Sequence, residues 1–248
     1  MRTVYREKMA NFSHDLVVMC DLIHEQLSKA TFALLESDLQ AAEDVISSRE
    51  QLEALQDQAD SRAYNMLLLE GPVARDLRQL VSGLYIVQDL ARMGQLSMHI
   101  AEVARRRHPK PALPDFMHAD FARMAAVCDD MANRMRQVLL EFDPASALQL
   151  AVDDDEVDAL HQEVFGKTTR QEWLGTTVQA VDVTLLSRYF ERFADHAVEV
   201  GARVVYLATG YRPADYIPQV KDPEQARLIN MHFETLERQF GPLTDDDA

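Results

Sequence analysis

Nowhere do eighteen apolar residues follow one another, which excludes a helix that spans a membrane. Glycine is scarce, 8 in 248 residues and none clustered, so the chain can hardly build a backbone cradle for a nucleotide. Nucleophile elbows, Cys-x-x-Cys pairs and His-Glu-x-x-His sequences are missing too, which weighs against a conventional enzyme. The two cysteines, Cys20 and Cys128, sit in separate helical segments without metal-ligand spacing and read as reduced core thiols of a cytosolic protein. Basic residues are outnumbered: 25 Lys and Arg against 41 Asp and Glu leave a formal charge of −16. So acidic a chain argues against nucleic acid or anionic lipid as a bulk electrostatic partner. Met1–Phe12 is mixed and charged, without the apolar run of a signal peptide. Any membrane association is therefore expected to run through partners.

What is present is helical periodicity. Phe12, Leu16, Met19, Ile23, Leu27, Ala30 and Leu34 step by three or four, as one buried stripe requires. Asp38 can cap a second helix running to about Leu69, with Val45, Leu52, Leu55, Ala59, Ala63 and Met66 inward, until Gly71-Pro72 breaks it. A third helix starts near Val73, keeps Leu77, Leu80, Leu84 and Val87 inward and lasts to about Arg107. Three prolines in six residues (Pro109, Pro111, Pro114) then form a linker. The pattern restarts with helices from about Asp115 to Phe142, from Pro144 to about Glu172, and from Gly175 to the capping Gly210. Strand signals are absent. The expected fold is all-α: two tandem antiparallel three-helix bundles, residues 1–109 and 110–210. A tail, 211–248, carries a short amphipathic helix between Asp222-Pro223 and Gly241-Pro242.

The two units are copies. Asp89-Leu90-Ala91-Arg92-Met93-Gly94-Gln95 and Tyr189-Phe190-Glu191-Arg192-Phe193-Ala194-Asp195 share the pattern apolar, variable, Arg, apolar, small, polar, one hundred positions apart. Only the second copy carries carboxylates. Val183, Leu186, Phe190, Phe193, Ala197, Val200 and Val204 mark the core face of its last helix. Glu191, Asp195 and Glu199 stack at four-residue intervals away from that face, where like charges repel. Two readings stay open from the residues alone. One is a solvated face paired with Arg188, Arg192 and Arg203. The other is a site for a hard or borderline divalent cation, which prefers oxygen ligands. Acid–histidine pairs one turn apart (Asp21/His24, Asp115/His118, Asp158/His161) read as chance spacing, because no Glu-x-x-His occurs.

Several segments together resemble the PhoU family. They are Met1-Arg2-Thr3-x-Tyr5-Arg6-Glu7, Gly71-Pro72-Val73-Ala74-Arg75-Asp76-Leu77-Arg78, Asp89-Leu90-x-Arg92-Met93-Gly94, Leu186-x-Arg188-Tyr189-Phe190-Glu191-Arg192-Phe193-Ala194-Asp195-His196-Ala197 and Tyr206-Leu207-Ala208-Thr209-Gly210. The resemblance covers about residues 1–210. It implies a cytoplasmic, non-catalytic homodimer that regulates phosphate uptake and signalling. Its expected partners are the ATPase subunit of the phosphate ABC transporter and a sensor histidine kinase, and its expected effect is repression of the phosphate-starvation response. Arg75, Arg78, Arg92, Arg188 and Arg192 are the candidate partner contacts. The family's metal motif, Glu/Asp-x-x-x-Asp in each repeat, is matched by Glu191 and Asp195, with Glu199 where the family usually has asparagine. In the first repeat Ala91 and Gln95 replace it, with His99 nearby. A divalent or iron ion is therefore expected in the second repeat only. Two other classes stay in play: a metal-dependent carboxylate-site enzyme, and a helical scaffold unrelated to phosphate.

Overall fold

The computed structural model describes residues 2–170 and 172–216; the tail helix expected after Asp222 lies outside them. Every regular element among the described residues is helical. In chain order they are α1 (Arg2–Glu36), α2 (Leu39–Ser47), α3 (Arg49–Glu70), α4 (Arg75–Arg107), a 3-10 turn at Asp115–Met117, α5 (His118–Glu141), α6 (Pro144–Thr169), α7 (Thr177–Thr209) and the short α8 (Pro213–Tyr216).

Local chemistry sets most of these boundaries. Asp38 accepts a hydrogen bond from the Ala41 amide at 2.7 Å and opens α2. Asp143 does the same for α6 through the Ser146 amide, with Pro144 in the first turn. Thr176 and Gln179 close a reciprocal capping box on α7. Gly71 and Gly210, at φ of 53° and 81°, end α3 and α7 in the left-handed conformation that glycine tolerates best.

Three boundaries differ from the sequence expectation. The second rod is not continuous but breaks at Ser48. That hydroxyl donates to the Val45 carbonyl and accepts from the buried Gln26 amide of α1, a tertiary tie that periodicity cannot register. Helix α4 begins at Arg75 rather than Val73, because Ala74 takes a positive φ; Leu77, in its first turn, is exposed rather than inward. Helix α6 ends at Thr169, not Glu172. The apolar stripes of α1 and α7 are buried throughout, and those of α3 and α4 are buried apart from Leu77 and the half-buried Leu55 and Leu84. Cys20 and Cys128 are buried free thiols, and burial pushes the Cys20 thiol up to about 12.

Helices α1 to α4 pack together, as do α5 to α7, and the two groups share one continuous core because α4 lies along α7 and α1 along α5. Polar ties cross the same seam. His196 bonds Asp89 at 3.0 Å, His24 bonds Asp129 at 2.7 Å, and Arg106 and Arg107 both reach the buried Asp182. Within the second group α7 packs tightly on α6 at Gly201, where a Cβ atom would stand 2.7 Å from the Ala147 carbonyl oxygen. A backbone atom cannot swing aside as a side-chain end can. Gly201→Val is thus expected to lower the unfolding free energy by about 1–3 kcal/mol, the usual cost of overpacking. Urea titration followed by helical circular dichroism checks this, and an unchanged midpoint would contradict the close approach.

A buried carboxylate cluster on α6 and α7

Helix α7 carries Glu191, Asp195 and Glu199, and all three are buried: 3%, 2% and 6% exposed. Of the two readings left open by the sequence, burial removes the solvated acidic face. Periodicity assigns a helix one core face, but α7 is covered on several sides, by α4, α5 and α6. The side away from its main stripe is therefore enclosed as well.

The charges on these acids are only partly compensated. Arg188 donates to Glu191 from three residues before it. The Arg192 Nε stands 3.8 Å from Asp195 Oδ2, too far for a hydrogen bond. Glu191 Oε2 and Asp195 Oδ2 are buried and accept no hydrogen bond among the described residues. Arg203, expected beside these acids, lies instead over the Tyr85 ring at 4.3 Å. Burial raises the Glu191 carboxyl to about 7, against the pull of Arg188 and with help from Asp158 and Asp154. Burial also raises Asp195, to about 8, reinforced by Glu191, Asp154 and Asp158.

Asp154 and Asp158 belong to α6; Asp154 was not singled out in the sequence, and Asp158 only for its spacing to His161. Asp154 is fully buried and Asp158 half-buried. They repeat the spacing of Glu191 and Asp195, acid-x-x-x-acid, which puts each pair on one helix face. That signal was present but concealed within the run Asp153-Asp154-Asp155-Glu156, which has the look of a solvated stretch. The Asp158/His161 spacing carries no joint site, since His161 bonds Ser187 at 3.0 Å. Asp21 and His24 likewise turn to different partners, Arg136 and Asp129.

The first copy is built differently. Ala91 is buried and offers no donor; Gln95 is exposed and accepts from Arg92 at 3.0 Å. His99 bonds Glu102 and tilts against the Tyr189 ring 5.3 Å away. Among the remaining candidate contact residues Arg75 is exposed at the start of α4, and Arg78 lies over the Tyr206 ring at 5.4 Å. Arg188 and Arg192 are directed at the acids of their own helix.

The PhoU domain model matches this chain twice, over residues 16–104 and 121–204. The chain belongs to the PhoU family. It is 46% identical over 213 residues to "Phosphate-specific transport system accessory protein PhoU homolog 2" of Mycobacterium tuberculosis, covering all of that protein and 86% of this chain. With "PhoU homolog 1" of Mycobacterium leprae it shares 43% over 215 residues, 97% of that protein and 87% of this one. The fold agrees with the crystal structure of PhoU from Pseudomonas aeruginosa, at a TM-score of 0.74 and 22% identity, over 84% of this chain and all of that one. The PhoU repeat thus occurs twice, and the acid pair Glu191/Asp195 is present in the second, with Ala91 and Gln95 at the matching positions of the first.

The donor set suits a cation by its chemistry. Four carboxylates on two adjacent helices repel one another, two of their oxygens lack a donor, and hard or borderline divalent ions favour oxygen ligands. As they stand, no group of three or more His, Cys, Asp or Glu side chains among the described residues is arranged to hold a metal ion. Without a bound cation, protons are the counter-charge that Glu191 and Asp195 would take up. Both carboxyls titrate higher in the fold than in the unfolded chain, so the fold retains protons that the unfolded chain releases above about pH 4. Metal-free stability is expected to fall as pH rises from about 4 through about 8, and to level off beyond. Glu191→Gln should flatten that slope and raise the thermal midpoint most at alkaline pH. Melting curves in chelator across this range check it, and identical slopes in both proteins would refute it.

Proposed function

We propose that this protein is a non-enzymatic regulator of phosphate uptake and phosphate signalling. It couples the ATPase subunit of a phosphate ABC transporter to a sensor histidine kinase, represses the phosphate-starvation response, and acts as a cytoplasmic homodimer that reaches the membrane through these partners. The observation that carries the reading is whole-length similarity to proteins named as accessory to phosphate-specific transport, with both repeats retained. No described helix is long and apolar enough to cross a membrane, in keeping with an accessory rather than a transporting role. The mode of action is contact: long helical rods present polar faces, and binding biases which state of a partner is populated. Deleting the gene is expected to raise phosphate-responsive transcription several-fold in phosphate-rich medium. Transcription that stays at the repressed level there would refute the regulatory role.

We also propose a divalent or iron ion in the second repeat alone. Glu191 and Asp195 would hold it together with Asp154 and Asp158 of α6, with Glu199 one turn further along α7. Bound there, the ion would supply the positive charge that the cluster lacks and tie α6 to α7. Elemental analysis of protein dialysed without chelator is expected to find metal in the natural protein and little in Asp195→Asn. Metal-free natural protein, or equal loading of the variant, would overturn this assignment.

A further inference from the structure

A second polar site sits at the C-terminal end of α7, and its charge is of the opposite sign. A cavity of about 240 Å³ opens between α4, α7 and α8, lined by Ser82, Tyr85, Arg203, Tyr206, Arg212 and Pro213 among others. Arg203 and Arg212 line it directly, and Arg78 lies over Tyr206 from behind, its Nη1 only 2.8 Å from where a Cβ on Gly210 would be. None of these three arginines makes an ion pair among the described residues, in a chain where acids outnumber bases 41 to 25. The Nε atoms of Arg78 and Arg203 are buried and find no acceptor there.

Two structural roles account for part of this arrangement. The guanidinium groups of Arg203 and Arg78 lie over tyrosine rings, which holds them in place. The C-terminus of α7 also presents the negative end of a helix dipole, equivalent to about half an elementary charge. Neither that half charge nor Glu199, one turn before Arg203 on α7, balances three guanidinium groups. Ring stacking engages a guanidinium through its face and leaves its in-plane N–H groups free to donate. Ser82, 3% exposed, adds a hydroxyl to the wall. The volume is below the range usual for drug-sized ligands and suits a compact anion.

We propose that this cavity binds a small phosphate-type oxyanion, with Arg203 and Arg212 donating to its oxygens, Ser82 adding a hydrogen bond and Arg78 reinforcing the field. Arginine forks match the spacing of phosphate oxygens, which gives the site its chemical preference. The choice of phosphate among anions rests on the regulatory reading above; the cavity and its arginines do not. Because Arg78 and Ser82 come from α4, Arg203 from α7 and Arg212 from the turn between α7 and α8, the bound anion would bridge the two repeats. The seam between them would then respond to a small ligand.

Isothermal titration of the full-length protein with inorganic phosphate at constant ionic strength tests the proposal. Saturable binding is expected, weakened at least tenfold in Arg203→Met and in Arg212→Gln. The second position is less buried than a core residue, so its variant keeps the test valid if the first fails to fold. Adenosine monophosphate is titrated in parallel: tighter binding than free phosphate assigns the natural anion to a nucleotide, weaker binding to phosphate itself, and either supports the site. No saturable signal up to about 10 mM phosphate, a free energy near 3 kcal/mol, overturns it. So does binding that both folded variants retain in full. The titration reads purified protein, and so can fail while the transcriptional test succeeds, or the reverse.

Discussion

The enclosure of α7 by its neighbours is the constraint on which the rest of this structure depends. A surface helix can place charge on its outer side, but this one lies against α4, α5 and α6 and has little outer side left. Its central stretch from Phe193 to Ala202 is buried without interruption. Acids in such a helix must find counter-charge, take up protons, or destabilise the fold. Glu191 finds Arg188, while Asp195 has Arg192 at 3.8 Å and the longer-range pull of Arg188. The raised titration of both follows from that shortage.

Duplication makes the shortage informative. Helix α4 occupies in the first repeat the place that α7 holds in the second, and the positions of the acid pair there are filled by a buried methyl and an exposed amide. Ala91 removes the cost of a buried charge, while Gln95 points outward and bonds within its own helix. Retaining two acids in the enclosed copy and none in the other is the reverse of what stability alone would favour. The broken second rod of the first repeat adds to the contrast: α2 and α3 part at Ser48, whereas α6 runs unbroken beside α7. The acid pair of α7 thus has no counterpart at the matching positions of α4.

Most of the fold was legible in the sequence, because caps and stripes act locally. Asp38, Asp143, Gly71 and Gly210 mark helix ends by hydrogen bonding and backbone preference within a turn. The break at Ser48 was not legible. Val45 and Leu52 stand seven apart on one stripe, as an unbroken helix would have them, and the tie to Gln26 comes from another helix. The site was legible only in part. Glu191 and Asp195 stood out by spacing, but one sequence periodicity reports one neighbour, so the cover supplied by α6 was invisible. Asp154 was lost in an acidic run whose members face different ways, Asp154 buried and Asp155 and Glu156 exposed, and Asp158 was read only against His161.

Helix α7 also joins two groups of opposite sign, the acids near its middle and the arginine cavity at its end. From Glu191 to Arg203 the axial rise is about 18 Å at 1.5 Å per residue. The screening length at physiological ionic strength is about 8 Å. Glu191 and Asp195 therefore lie farther from Arg203 than that length. Glu199 is the exception, one turn before Arg203 on the same helix, but the Arg203 guanidinium lies over the Tyr85 ring. Distance along a rigid rod thus keeps Glu191 and Asp195 from pairing with the cavity arginines, and the packing of α7 against α4 is the mechanical connection between that site and the buried carboxylates.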